Sequence, residues 1–370
     1  MRYLLLVLSF VIMPFMALSH ALVPSAFDIE FGDGTYTAKF GTAVEALIAE
    51  IEPEVEDTNE SANAERYNAL REMSPAELEA EFNDFQQEFA ESIHIIVDGV
   101  RQDITITGIE IPEVGDTEIL RISAIEFEGV LPDASEEMTV QVAEEYGQTI
   151  VRVTLPDGER GYSGFMQPGQ VTDPISLITV TDQPFWRVFT DYIPIGFEHI
   201  IPLGLDHILF VVGLFLLSMK LHALLWQVSA FTVAHTITLA LGMLGIVSIP
   251  GSIVEPLIAA SIVYVCIENI VMKGFTRWRT VVVFMFGLLH GLGFAGVLTE
   301  FGLPKGQFVS ALIGFNIGVE LGQLAVIAIC FAAFGYWFGK KDWYRRAIVI
   351  PMSLSISVIA SYWFYERVFL

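Results

Sequence analysis

The sequence predicts a chain of two unlike parts. An exported, mainly β domain of sandwich type with a helical insertion precedes an α-helical polytopic membrane domain of six transmembrane helices. Three observations predict this. Charge is segregated: residues 22–190 hold 8 Lys and Arg against 35 Asp and Glu, whereas residues 191–370 hold 10 against 9. Apolar side chains in the first part recur with period two in short runs separated by turn residues, the pattern of half-buried strands. The second part carries six apolar runs, each long enough to cross a hydrocarbon core. At 53% hydrophobic residues the whole chain is too apolar for one soluble domain. Its acidity argues against nucleic acid or anionic lipid as a partner.

Taken in order, Met1-Arg2-Tyr3 followed by the apolar run Leu4–Leu18 reads as a signal peptide over residues 1–21. Small residues permit cleavage after Ser19 or after Ala21, and the first would leave His20 as a new amino terminus. The exported acidic domain then spans 22–166. Phe27–Phe31 and Thr35–Phe40 alternate like strands around Gly32-Asp33-Gly34. A helical insertion is expected over about 42–91. Within it Ser74-Pro75-Ala76-Glu77 is a capping-box start, and Leu78, Phe82, Phe85 and Phe89 form an apolar helical face. Strands resume at Ile93–Val97 and Val100–Thr107 around Asp98-Gly99, then at Glu118–Phe127, Met138–Glu144, Thr149–Leu155 and Tyr162–Phe165. His94 reads as an ordinary strand residue.

Residues 167–195 are the expected linker and interfacial segment, with Phe185, Trp186, Phe189 and Tyr192 at headgroup level. The six-helix domain then occupies 196–370, with spans near Gly196–Met219, Leu224–Leu244, Ile253–Val271, Thr280–Leu298, Val309–Phe338 and Ala347–Phe369. With the first domain exported, Lys220, Lys273, Arg277, Arg279, Lys340, Lys341, Arg345 and Arg346 fall in cytoplasmic loops. Only Lys305 and Arg367 fall outside, so the positive-inside rule gives the same orientation. The expected location is the bacterial cytoplasmic membrane, with the first domain on the periplasmic side. Cys266 and Cys330 sit inside predicted spans and read as packing residues.

Ionisable side chains at bilayer depth point to function, because an unpaired charge there costs about 2.5–3.5 kcal/mol even on the mildest scale. Counted along the predicted helices, Asp206 and His207, His235, His290, and the pair Asn316 and Glu320 all fall about ten residues deep. A metal site made of Asp206, His207, His235, His290, Asn316 and Glu320 is therefore expected. Imidazole with carboxylate suits Ni, Co or Zn. On one continuous helix His199 would stand about 10 Å above Asp206, too far to share an ion. It is assigned with Glu198 and Glu255 to an outer vestibule, and Ser261, Tyr264 and Glu268 to a polar stripe running toward the cytoplasm. Gly291-Leu-Gly-Phe-Ala-Gly296 matches a dinucleotide fingerprint but lies inside a predicted span with no strand before it. Gly287, Gly291 and Ala295 read instead as a packing stripe.

Three readings stay open at this point. A permease for a divalent transition metal would use the vestibule, the midplane set and the stripe as a route. An intramembrane zinc-dependent hydrolase would use the same His and Asp set, with Glu320 or Ser261 handling protons. In the third, the membrane part is a scaffold and the exported domain binds a periplasmic partner.

The runs GFEHIIPLGLDHILF (196–210), AFTVAHTITLALGMLG (230–245), VEPLIAASIVYVCIENI (254–270), FGLLHGLGFAGVL (286–298) and FNIGVELGQ (315–323) resemble the HupE/UreJ family of hydrogenase and urease accessory membrane proteins, in particular its branch with an exported amino-terminal domain. The resemblance implies a role in nickel or cobalt uptake. It carries the family's first-helix metal-handling motif onto His199, Asp206 and His207, although here six residues separate His199 from Asp206, where better-described permeases have five or fewer.

Overall fold

A computed structural model describes residues 24–32, 34–53, 55, 58–115, 117, 120–132, 134–180, 183–272, 277–301 and 307–369, with side chains except at 60, 277 and 296–301. The expected signal peptide, its two cleavage points and His20 lie outside the described residues, as do Lys273 and Lys305. The chain divides into two compact units that meet in sequence at Gln183 and Pro184.

The first unit is built on two sheets. Strands β1 (Ser25–Phe31), β2 (Thr35–Thr42), β5 (Thr105–Glu110), β6 (Ser123–Val130), β8 (Thr149–Thr154) and β9 (Arg160–Met166) form a sheet of order β5-β6-β2-β1-β8-β9. Strands β3 (Ile93–Val97), β4 (Val100–Gln102), β7 (Glu137–Val142) and β10 (Ile175–Ser176) form a second, of order β10-β7-β3-β4. The expected strand Val100–Thr107 is broken into β4 and β5, which belong to different sheets. Strand β10 falls in what the sequence assigns to the linker. β1 and β2 pair antiparallel with Phe27 opposite Phe40, while β1 and β8 pair parallel with Ser25 opposite Thr149.

Period-two alternation turns Phe27, Ile29 and Phe31 of β1 inward. Three helices make the insertion: α1 (Val44–Ile48), α2 (Ala64–Arg71) and α3 (Pro75–Ser92). Helix α3 starts on the Ser74 and Glu77 capping box, where Glu77 Oε2 accepts the Ser74 amide at 2.9 Å and its hydroxyl at 2.6 Å. The helix buries Leu78, Phe82 and Phe89. Phe89 packs edge-on to Phe40, Phe82 and Phe127 at centroid distances of 5.6–6.1 Å, so the core is largely aromatic.

The second unit is helical: α4 (Phe185–Glu198), α5 (Leu205–Leu217), α6 (Leu221–Met243), α7 (Gly251–Val271), α8 (Arg277–Phe301), α9 (Phe308–Cys330, running on through a π turn to Phe338) and α10 (Ile350–Phe369, entered through a π turn at Arg345–Val349). Among the described residues, five helical stretches are long and apolar enough to cross a membrane: Leu221–Met243, Gly251–Val271, Trp278–Ala295, Phe308–Phe338 and Arg345–Phe369.

The expected first span, Gly196–Met219, is corrected. It comprises the end of α4, an irregular turn at 199–204 containing the cis peptide Ile201–Pro202, and α5. Helix α5 has 13 residues and reaches only about 20 Å, short of a hydrocarbon core about 30 Å thick. The segment expected to lie at the interface is α4, and it packs along α9 backbone against backbone. Glycine makes this possible: a Cβ at Gly318 would overlap the carbonyl oxygen of Ile193, and one at Gly196 that of Phe315. Across the bundle, Gly287 and Gly291 of α8 meet the Phe231 and His235 carbonyls of α6 in the same way. Both cysteines are buried and unbridged.

Candidate metal centre

The break after α4 turns the chain back on itself, and Gly204 packs against the His199 carbonyl where a side chain would not fit. Its consequence is that His199, at the end of α4, lies beside His207, in the first turn of α5. Their ring centroids are 4.8 Å apart. His235 of α6 stands 6.0 Å from His199 and 5.9 Å from His207 by the same measure. One ligand nitrogen from each of His199, His207 and His235 lies within 4.8 Å of the others. The placement of His199 in a separate outer layer is thereby corrected: the helix on which the 10 Å offset was counted does not run through residues 199–204.

Hydrogen bonding fixes how the rings are presented. His207 Nδ1 lies 2.9 Å from Asp206 Oδ1, which also accepts the His207 amide. His235 Nδ1 lies 3.2 Å from Asn316 Oδ1, while the amide nitrogen of Asn316 donates to the Leu312 carbonyl. His290 Nδ1 lies 2.9 Å from the Phe286 carbonyl. An oxygen acceptor at Nδ1 keeps the proton there and leaves Nε2 with a free lone pair. In all four rings, His199, His207, His235 and His290, Nε2 is buried and without a hydrogen-bond partner among the described residues.

Three buried acceptors with nothing to accept from, with the unpartnered Nε2 of His199 beside them, are costly unless a cation or water completes them. A metal-binding histidine commonly has its second nitrogen bonded to a carboxylate or carbonyl, and that arrangement is present here. Two ligands on one tetrahedral ion at about 2.1 Å stand about 3.4 Å apart, so the three imidazoles need only draw in slightly to share an ion. His290 extends the group on one side, 4.9 Å from His207 between ring centroids. Phe231 and Phe294 wall the cluster, the Phe294 ring lying tilted against His199 at 4.0 Å and Phe231 lying 4.9 Å from His290.

The remaining predicted residues separate from this cluster. Asp206 and Asn316 orient histidines through Nδ1. Glu320 lies one turn beyond Asn316, and its carboxylate accepts the hydroxyls of Ser229 and Thr232 from α6. Glu198 is the last residue of α4, and Glu255, its side chain about half exposed, faces Arg367 at 3.8 Å. Ser261 donates its hydroxyl to the Ile258 carbonyl, and Tyr264 is 47% exposed, so these two do not form a continuous stripe with Glu268 inside the bundle.

Glu268 instead pairs with Arg279 at 3.0 Å. Arg279, read from sequence as a loop cation, is 1% exposed in the first turn of α8 and bonds Gln227, Asn269 and the Gly213 carbonyl. Sequence reasoning missed this buried polar network. The available signal was the set of uncharged polar residues Gln227, Asn269 and Ser353 inside predicted spans.

No curated protein and no solved structure shows a significant match to the chain. A family model described as HupE / UreJ protein matches residues 176–367, which include every helix from α4 to α9 and nearly all of α10. The matched segment covers more than half of the sequence and contains all four histidines of the cluster, so the chain belongs to the HupE/UreJ family.

Proposed function

We propose that the protein is a membrane permease for a divalent transition metal, nickel or cobalt by preference, which binds the ion transiently between His199, His207 and His235 with His290 alongside. The observation that carries this reading is the set of four buried Nε2 atoms, three of them in rings whose Nδ1 faces an oxygen. Neutral imidazole nitrogens suit late divalent metals, and the family's association with metal handling agrees. Asp206 adds one negative charge beside the rings, so a dication entering them is partly neutralised. Entry toward a negative interior gains about 4.6 kcal/mol per 100 mV for a doubly charged ion, a sufficient drive without nucleotide hydrolysis.

Hydrolysis by the same histidines is the weaker reading. A metal hydrolase needs a base within reach of the bound water. The two residues assigned to that role are occupied elsewhere: Ser261 bonds the Ile258 carbonyl and Glu320 the hydroxyls of α6. The test is entry of Ni2+, Co2+ or Zn2+ into liposomes holding the purified protein, beside an Asp206→Asn variant. Metal entry that Asp206→Asn slows supports the permease. Entry unaffected by that change contradicts this mechanism, and no entry of any of the ions contradicts the function.

A further inference from the structure

The seam between α6 and α9 holds a second polar group, about 6 Å along the helix axis from the Asn316 level. Glu320 Oε1 accepts the Ser229 hydroxyl at 2.7 Å and Oε2 the Thr232 hydroxyl at 2.5 Å. Gln323 Oε1 lies 3.1 Å from the same Thr232 oxygen, and the Val228 carbonyl also lies 3.1 Å from it. A threonine hydroxyl has one proton to donate. Here three acceptor oxygens converge on it, and Ser229 supplies the only other hydroxyl proton in the group. Five side-chain oxygens, two of them from one carboxylate, therefore gather in a partly buried seam. No basic side chain pairs with Glu320 among the described residues.

We infer that Glu320, with Thr232, Ser229 and Gln323, forms a second, all-oxygen station that takes the divalent cation from the histidines and passes it toward the end of the bundle bearing Lys220 and Lys340. This rests on the permease reading. Nitrogen ligands hold late divalent metals more tightly than carboxylate, amide and hydroxyl oxygens do, so a step from the histidines to this station loosens the ion. The other acidic route toward that end is closed to a dication. There Glu268 is already neutralised by Arg279, whose guanidinium stays charged and is held by Gln227, Asn269 and the Gly213 carbonyl. Asn316 links the two stations through the backbone of α9, since it bonds His235 one turn before Glu320.

The test uses the full chain with Co2+ as the probe. Binding is read in detergent from the visible absorption of histidine-bound Co2+, and entry is read in liposomes under an inside-negative potential. Glu320→Gln, which keeps size and hydrogen bonding but not charge, is expected to retain the Co2+ bands with little change in affinity. Its entry rate is expected to fall about 10-fold or more, the usual scale for losing a metal-site partner. Thr232→Val is expected to show the same split and stands in should Glu320→Gln not fold. Wild-type entry rates in these variants overturn the inference while leaving the permease intact. Loss of the Co2+ bands in a folded variant also overturns it, because Glu320 would then belong to the histidine site. A wild-type protein that neither binds nor admits Co2+ removes both.

Discussion

His199 and His207 meet edge to face with ring centroids 4.8 Å apart, although an unbroken helix would set them about 12 Å apart along its axis. The turn at 199–204 closes that distance. It folds the end of α4 onto the start of α5, so two histidines close in sequence become neighbours in one cluster and His235 completes the group from a different helix. Irregular backbone in a membrane domain is tolerated where it is buried in protein or lines a protected cavity, and here the turn brings His199 into the histidine cluster.

On the proposed permease reading, Asp206 acts on metal affinity through His207. The carboxylate keeps the proton on Nδ1 and Nε2 open, whereas an amide at 206 can donate to Nδ1 and move the proton to Nε2. Asp206→Asn is expected to weaken Co2+ binding about 10- to 100-fold with the fold intact, as titration calorimetry beside circular dichroism would show. Unchanged affinity would remove Asp206 from the site.

Asn316 does the same for His235 from α9. Asn316→Leu leaves His235 Nδ1 without its oxygen and is expected to lower affinity about 10-fold, measured by the same titration. Asn316→Asp, which restores an oxygen acceptor, should recover most of the loss.

Gly318 sets how closely α4 lies on α9. Gly318→Leu places a side chain against the Ile193 carbonyl and is expected to cost about 1–3 kcal/mol, read as a lower unfolding temperature in detergent. Because α4 ends at His199, the same variant should also bind Co2+ more weakly.

In the β unit, the Ser74 hydroxyl and amide hold the Glu77 carboxyl below its ordinary value. A depressed folded-state value means that the capping box adds stability above the unfolded carboxyl range and loses it as pH falls through the lower, folded value. Ser74→Ala should therefore unfold at lower denaturant than the parent at pH 7, and the gap should narrow on acidification. A gap that widens in acid would contradict this. Phe89→Ala, which opens the aromatic core beneath α3, is expected to cost about 3–5 kcal/mol at either pH.

Much of this architecture was legible in the residues. Alternation in Phe27–Phe31 and Ile93–Val97 marked strands, and the Ser74 and Glu77 pair marked the start of α3 to the residue. What escaped was set by contacts far apart in sequence. Pro202 and Gly204 are helix-breaking residues, but their presence does not tell that the chain doubles back and brings His199 to His207. The glycines at 314, 318 and 322 are visible as a spacing of four, yet only α4 and the turn after it, lying on them through Phe189, Ile193 and Ile200, give that spacing meaning. Arg279 looked like a loop cation because its partners Gln227, Glu268 and Asn269 come from two other helices. Glu320 was placed with the histidines by depth alone, and depth does not tell which neighbour a side chain turns to.

X-ray absorption at the metal edge of the Co2+- or Ni2+-loaded protein tests the central claim most directly, because it counts the ligands on the ion. The account predicts three imidazole nitrogens at about 2.0–2.1 Å in the wild type and two in His199→Ala. An ion surrounded by oxygen alone, or a ligand count that His199→Ala leaves unchanged, would contradict it.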